Sequence, residues 1–120
     1  MTNVMLVEDH TDLRQLVAHL FNREPEFEVI AQAGTLAEAR QLLTEDIDLA
    51  VVDLGLPNGC GIEFLKDLRR LNSGAAALVL TMGVDPEEKG RAVEAGAAEV
   101  LDKSDVVDKV VAAAKRLKAE

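Results

Sequence analysis

The residues that could carry out chemistry in this sequence are acids, a hydroxyl and an ammonium, and each follows a short apolar run: Glu8, Asp9, Asp53, Thr81 and Lys103. Carboxylates that crowd together repel one another unless a cation lies among them. Oxygen ligands without His or Cys suit a hard cation, and few carboxylates with room for water suit Mg²⁺ better than Ca²⁺. Lysine and threonine can bind phosphoryl oxygens, and Asp53 can act as a nucleophile on phosphorus. Brought together, these side chains predict phosphoryl transfer onto Asp53 with the help of Mg²⁺.

These side chains meet only if the apolar runs are parallel strands. Hydrophobic periodicity predicts five strands, each followed by a helix, near residues 4–7, 27–31, 49–53, 75–80 and 100–101. Capping signals place four of the helix starts at Thr11 or Asp12, Thr35, Asp85 and Ser104. Because parallel neighbours need crossover connections, this alternation predicts a five-stranded parallel sheet with helices on both faces. All five strand ends, and the polar side chains that follow them, then lie at one edge of the sheet.

The composition favours one acidic domain over residues 1–120. The formal net charge of -9 argues against a nucleic-acid or anionic-membrane surface on this chain, because phosphate binding needs clustered Lys and Arg. The single cysteine, Cys60, excludes an internal disulfide and a cysteine metal cage. Because no apolar run approaches the length of a membrane span and the amino terminus does not read as a signal peptide, we expect a cytoplasmic protein.

The order of these motifs resembles the receiver domain of two-component response regulators. In this sequence the residues that carry the resemblance are Glu8, Asp9, Asp53, Pro57, Gly61, Thr81, Ala95-Gly96-Ala97 and Lys103. Each motif alone is weak, but together they occur in the family's order and span essentially the whole chain. The resemblance implies an α/β, flavodoxin-like doubly wound (βα)5 fold with the strand order 2-1-3-4-5.

The same resemblance implies a role for each site residue. Asp53 is the implied phosphoacceptor, and Thr81 and Lys103 are implied to bind its phosphoryl group. The implied ligands of Mg²⁺ are Glu8, Asp9, Asp53 and the backbone carbonyl of Gly55. The expected donor is a phosphohistidine on a sensor histidine kinase or a phosphotransfer protein. The receiver is not expected to be an enzyme, although it assists its own phosphorylation and dephosphorylation.

The expected output is the control of transcription. The stretch from Val29 to Lys103 is similar to receivers that carry a helix-turn-helix DNA-binding domain. Phosphorylation is expected to change the conformation of the receiver, to act on an output domain or partner, and to allow a homodimer to form. Direct nucleic-acid binding by this acidic chain is not expected.

Two positions depart from the family pattern. Leu101 occupies a place where many members have an aromatic residue, and Met82 follows Thr81 where a small residue is common. These departures leave open a phosphorylation-independent receiver that acts as a protein-interaction module. A magnesium-dependent phosphatase would need a second Asp where Gly55 stands, and a flavodoxin would need a hydroxyl-rich first loop and a Trp or Tyr to stack on the flavin.

Overall fold

The computed structural model describes residues 1–56, 61–83 and 85–118, and in these ranges strands and helices alternate. The strands are β1 (Thr2–Val7), β2 (Phe27–Ala33), β3 (Leu49–Asp53), β4 (Ala76–Thr81) and β5 (Glu99–Asp102). The helices are α1 (Thr11–Asn22), α2 (Leu36–Leu42), α3 (Gly61–Leu71), α4 (Pro86–Glu94) and α5 (Val106–Lys118), with a 3-10 turn at Lys103–Asp105 before α5. Within these ranges, no helix is both long and apolar enough to cross a membrane.

The strands form one parallel sheet in the order β2-β1-β3-β4-β5, which confirms the predicted fold. β3 lies at the centre, and all five of its residues are buried. The register aligns the carboxyl ends of the strands, since Val7 pairs with Val52 and Asp53 pairs with Leu80. At the far side of the sheet Thr81 pairs with Asp102, next to Lys103. The sheet therefore brings the predicted site residues to one edge.

Successive side chains of each strand point to opposite faces, so the sheet separates two apolar cores. Met5 and Val7 face the core beneath α2, α3 and α4, whereas Val4 and Leu6 face the core beneath α1 and α5. The helices contribute unequally to these cores. α5 buries Val106, Val110, Ala113 and Ala114, but α4 buries Ala92 alone among its residues. α4 is therefore held to the sheet by little apolar surface.

Two of the four predicted caps are confirmed. The Thr35 hydroxyl accepts a hydrogen bond from the Glu38 amide at 3.1 Å, and the Asp85 carboxylate accepts one from the Glu87 amide at 3.0 Å. These bonds satisfy amides that the first turns of α2 and α4 leave without a helical partner.

The other two cap predictions are wrong. α1 begins at Thr11 itself, so the residue before it, His10, occupies the cap position, and the His10 amide donates to the Glu8 carboxylate at 3.0 Å. Asp102, not Ser104, accepts the capping bond before α5, since its Oδ1 receives the Ser104 amide at 2.9 Å. Of the remaining motif positions, Pro57 and Cys60 lie outside the described residues.

Candidate functional site

Three carboxylates meet at the carboxyl edge of the sheet. Glu8 and Asp9 follow β1, Asp53 ends the neighbouring β3, and one oxygen from each of the three lies within 4.8 Å of the others. Glu8 and Asp53 are only 3% and 2% exposed, whereas Asp9 is the most accessible of the three. The structure thus brings together the acids that the sequence analysis predicted would meet.

Hydrogen bonds hold both the side chain and the backbone carbonyl of Glu8. Its Oε2 accepts a hydrogen bond from the His10 amide at 3.0 Å, and its backbone carbonyl accepts one from Arg14 Nη1 at 2.8 Å. Burial raises the pKa of the Glu8 carboxyl, because the charged form loses its hydration. The hydrogen bond with Glu8 in turn lowers the pKa of Asp9. A proton at this site therefore favours Glu8, and Asp9 keeps its negative charge.

Lys103 joins the two buried acids. Its Nζ lies 2.9 Å from Glu8 Oε1 and 3.0 Å from Asp53 Oδ2, and its side chain is 13% exposed. Burial alone would lower the pKa of the Lys103 ammonium, but hydrogen bonds and charge attraction from both carboxylates outweigh burial and raise it. Lys103 is thus a fixed positive charge at the predicted edge of the sheet, where it contacts Asp53 directly.

Two glycines set the position of Asp53. The Gly55 amide donates to Asp53 Oδ1 at 2.9 Å, while Lys103 contacts the other oxygen, so both carboxylate oxygens have a partner. A Cβ at Gly61 would lie 2.6 Å from the Asp53 carbonyl oxygen and 3.0 Å from Val52 Cγ1. Only a glycine lets α3 begin this close to the end of β3 without a shift of the backbone.

Thr81 reaches the predicted edge, but its hydroxyl is bonded elsewhere. It ends β4 and is 7% exposed. The hydroxyl lies 2.9 Å from the carbonyl oxygen of Gly83, which precedes α4, and 3.3 Å from Oε1 of Glu88, on the first turn of α4. In this structure the Thr81 hydroxyl therefore contacts Gly83, and Glu88 of α4, rather than Glu8, Asp9 or Asp53.

The sequence analysis missed the role of Glu88. A glutamate three residues after the Asp85 cap is typical of a capping box, in which it would bond the cap amide. In the structure the Asp85 amide donates to the Gly83 carbonyl at 3.2 Å, and the Glu88 carboxylate contacts Thr81. One feature of the sequence could have predicted this contact. Glu88 follows Thr81 by only seven residues, so the short connection between β4 and α4 keeps the first turn of α4 close to the end of β4.

The two departures from the family pattern have different surroundings. Met82 is 81% exposed, so its side chain extends into solvent beside the site. Leu101 is 8% exposed and packs into the core beneath α1 and α5, together with Leu80 and Val106. The side chain of Leu101 has no polar group, so it cannot form a hydrogen bond with the Thr81 hydroxyl.

The donor set fits Mg²⁺. It consists of carboxylate oxygens without sulfur or imidazole, and one acid is accessible to solvent, which suits a hard cation that keeps several waters. Three carboxylates against one ammonium also leave the site negatively charged, so a cation relieves their mutual repulsion. The chain therefore supplies an acidic site suited to Mg²⁺, with a lysine in contact with one of the acids.

Comparisons with known proteins agree with this geometry. The family model described as the response regulator receiver domain matches residues 4–115. The DNA-binding transcriptional activator DevR/DosR of Mycobacterium tuberculosis is 37% identical over 98 residues, which are 81% of this chain and 45% of that protein. The chain thus spans about half the length of this relative.

Solved structures give the same result. A two-component response regulator of the LuxR family from Aurantimonas sp. SI85-9A1 is 32% identical, with a TM-score of 0.84 over 98% of this chain and 85% of that one. A response regulator from Burkholderia pseudomallei, crystallised with a phosphorylated aspartic acid, a calcium ion and citrate, is 27% identical, with a TM-score of 0.83 over 94% of this chain and 66% of that one. The fold, the acidic edge of the sheet and these matches together show that the chain belongs to the receiver domains of two-component response regulators.

Proposed function

We propose that this receiver domain accepts a phosphoryl group on Asp53 in a Mg²⁺-dependent reaction. The observation that carries the proposal is the contact of Lys103 Nζ with Asp53 Oδ2 at 3.0 Å, inside a group of three carboxylates. The chemistry of this group is that of phosphoryl transfer, in which positioning and charge neutralisation do most of the work. The phosphorylated aspartic acid of the Burkholderia pseudomallei relative supports the same reaction here.

Glu8, Asp9, Asp53 and the backbone carbonyl of Gly55 would hold the Mg²⁺ ion. When bound, the ion neutralises charge that develops on the phosphoryl oxygens. Of these groups, Asp9 keeps its charge because the hydrogen bond with Glu8 lowers its pKa. Burial raises the pKa of Glu8, so this carboxyl is the one that gains most from a nearby cation.

The remaining steps use residues of the chain itself. A carboxylate oxygen of Asp53 attacks the phosphorus of a phosphohistidine, and the bond from phosphorus to the histidine nitrogen breaks as the acyl phosphate forms. The Gly55 amide orients the carboxylate, since it donates to Asp53 Oδ1 at 2.9 Å. Lys103 stabilises the negative charge on the transferred group, and Thr81 donates its hydroxyl to a phosphoryl oxygen. A water molecule later hydrolyses the acyl phosphate, so the domain takes part in both its own phosphorylation and its own dephosphorylation.

The phosphoryl donor is a sensor histidine kinase or a phosphotransfer protein, and the output is transcription regulation.

Phosphorylation adds about 1.5 to 2 negative charges and three acceptor oxygens, which favour a second arrangement of Thr81, α4 and β5. The unphosphorylated protein already populates this arrangement to some extent, because a ligand shifts only an existing equilibrium. The second arrangement acts on an output domain or partner and allows a homodimer to form, while this chain does not itself contact nucleic acid. We place the whole process in the cytoplasm, away from the membrane.

The test is an intact-mass measurement after incubation with acetyl phosphate and Mg²⁺. We expect one phosphoryl adduct, which is absent from Asp53→Asn and from the wild-type protein without Mg²⁺. Loss of the adduct in both controls identifies the acceptor and its metal dependence together. A folded protein that gains no adduct, from acetyl phosphate or from its kinase, would contradict the proposal. It would favour the alternative, in which the receiver is a phosphorylation-independent interaction module.

A further inference from the structure

The Thr81 hydroxyl has more acceptors than protons. It has one proton to donate, and both the Gly83 carbonyl at 2.9 Å and Glu88 Oε1 at 3.3 Å lie within reach. Glu88 is half-buried, so its carboxylate is less screened by water than that of a fully exposed residue. The Gly83 carbonyl is the closer acceptor, and the charge of Glu88 partly offsets its longer distance, because at equal length a hydrogen bond to a charged acceptor is stronger than one to a neutral acceptor. The Glu88 carboxylate therefore contributes to keeping the Thr81 hydroxyl directed toward α4.

A phosphoryl group on Asp53 would compete for the same proton. In the proposed function Thr81 donates to a phosphoryl oxygen, and it cannot at the same time donate its single proton to Glu88. The unphosphorylated contact must therefore be lost when the phosphorylated contact forms. The free energy of the Glu88 contact is subtracted from the affinity of the site for the phosphoryl group.

Glu88 also lies where a phosphoryl charge would act on it. Glu88 lines a cleft together with Leu54 and Gly55, the two residues that directly follow Asp53, and with Ile62, Glu63 and Arg91. A dianionic group on Asp53 would repel the Glu88 carboxylate, and the positive charge of Arg91 in the same cleft reduces this repulsion without reversing its direction. Competition for the proton and repulsion between the charges thus act in the same direction, and both displace Glu88 from Thr81.

The helix that carries Glu88 is able to respond. α4 buries only Ala92 among its residues, so a shift of this helix exposes little apolar surface. Its first turn is fixed by the Asp85 cap and by the contact between Glu88 and Thr81. Loss of the second contact removes a hydrogen bond that joins the start of α4 to the end of β4.

From these observations we infer that Glu88 is a positioning residue, which holds Thr81 in the unphosphorylated arrangement and is released when Asp53 is phosphorylated. The inference rests on the proposed function, because it concerns a competitor of the phosphoryl group. It assigns the link between the acceptor site and α4 to one carboxylate of this chain.

The experiment compares Glu88→Ala with the matched control Glu87→Ala. Glu87 lies on the same turn and carries the same charge, but it is exposed, and its hydrogen bond to Asp85 uses only its backbone amide. The probe is beryllofluoride with Mg²⁺, which imitates the phosphoryl group without a covalent step. Because the sequence contains no Trp or Tyr, binding is measured by isothermal titration calorimetry rather than by intrinsic fluorescence.

We expect Glu88→Ala to bind beryllofluoride about three- to tenfold more tightly than the wild type, the ratio expected for one hydrogen bond of ordinary strength, because the 3.3 Å contact is long for a charged acceptor. Glu87→Ala should differ from the wild type by less than about twofold, which is the size of a screened surface charge effect. When Glu88→Ala is combined with Thr81→Val, which has no hydroxyl to release, the gain over Thr81→Val alone should fall below about twofold, the size of a screened charge effect. In the unliganded protein, the amide and methyl resonances of Thr81 should shift in Glu88→Ala and stay in place in Glu87→Ala.

The outcomes separate the two claims. If the wild type binds beryllofluoride and gains a phosphoryl adduct but Glu88→Ala binds no more tightly, the inference is wrong and the proposed function stands. A gain that stays as large in the Thr81→Val background would also overturn it, because the whole effect would then be one of charge. A wild-type protein that binds no beryllofluoride and gains no adduct would overturn both.

Discussion

Replacing Lys103 by methionine tests how the charges of the site balance. The ammonium lies 2.9 Å from Glu8 Oε1 and 3.0 Å from Asp53 Oδ2, and both carboxylates are almost fully buried. At an effective dielectric constant of about 20, each of these contacts is worth about 6 kcal/mol before the cost of desolvating the lysine is subtracted. Methionine has a similar length and no charge, so the substitution removes the attraction without opening a large cavity.

Protonation limits the loss of stability. Without Lys103 the Glu8 carboxyl can take up a proton, and burial already raises its pKa. Holding a carboxyl of ordinary pKa neutral at pH 7 costs about 4 kcal/mol, which is an upper bound on the effect. We therefore expect Lys103→Met to lower the free energy of unfolding by about 2 to 4 kcal/mol at pH 7 in EDTA. The loss should shrink as the pH falls, because protonation of Glu8 then costs less.

The assay is urea unfolding followed by far-UV circular dichroism, since the sequence has no Trp or Tyr to report by fluorescence. Mg²⁺ should restore more stability to Lys103→Met than it adds to the wild type, because the variant has no ammonium to repel the ion and the ion can replace the proton on Glu8. Lys109→Met is the matched control. Its ammonium lies 3.6 Å from Asp105, with 60% and 50% of the two side chains exposed, and such pairs contribute at most about 1 kcal/mol. Equal stability of Lys103→Met and wild type in EDTA would refute the charge balance described here.

Three further predictions use single substitutions. Gly61→Ala should lower the free energy of unfolding by about 1 to 3 kcal/mol, because the new Cβ would meet the Asp53 carbonyl. Gly90→Ala should raise the free energy of unfolding by about 0.5 to 1 kcal/mol, because no atom lies within 4 Å of the new Cβ and alanine favours the helix. Equal effects of the two substitutions in urea unfolding would contradict this prediction. Thr35→Ala should cost about 1 kcal/mol in the same assay through loss of the α2 cap, and a change of less than about 0.3 kcal/mol would show the cap to be unimportant. Met82→Ala should change the rate of phosphorylation or of dephosphorylation, measured by intact mass over time, and the hypothesis is wrong if neither rate changes.

Much of the fold followed from the sequence because the apolar runs, the predicted strands and the order of the elements all indicated the same parallel sheet. The run ending at Asp53 is apolar at consecutive positions, as expected for a central strand that is buried on both faces. Once parallel strands were predicted, the meeting of Asp53 with Glu8 and Lys103 followed from topology, without knowledge of any side-chain conformation. This is why the acidic group could be placed before its distances were known.

The details that failed depend on choices between nearby polar groups. Thr11 and Asp12 looked like caps of α1, but the Glu8 carboxylate takes the His10 amide and the helix starts one residue earlier than a Thr11 cap would require. Along α3, the spacing of Leu71 from Leu68 suits the apolar face, yet Leu71 is 41% exposed, while Phe64 is fully buried. A period of 3.6 residues gives the direction of the apolar face but not its width, so residues at the margin are assigned by the packing of neighbours.

The state of Thr81 could not be predicted for a related reason. Sequence placed the residue at the right edge of the sheet, but its hydroxyl can rotate toward either the carboxylates or α4. The free-energy difference between two such hydrogen bonds is about 1 kcal/mol, which is smaller than any propensity argument can resolve.

The light attachment of α4 has a consequence for how such proteins diversify. Mutations are most damaging where they change buried packing, and along α4 only Ala92 is buried. The outward residues of this helix can therefore be exchanged with little cost to folding, while the acids and the lysine at the sheet edge stay the same. Over evolutionary time, substitutions on the surface of α4 alone can thus connect one chemical mechanism to new partners.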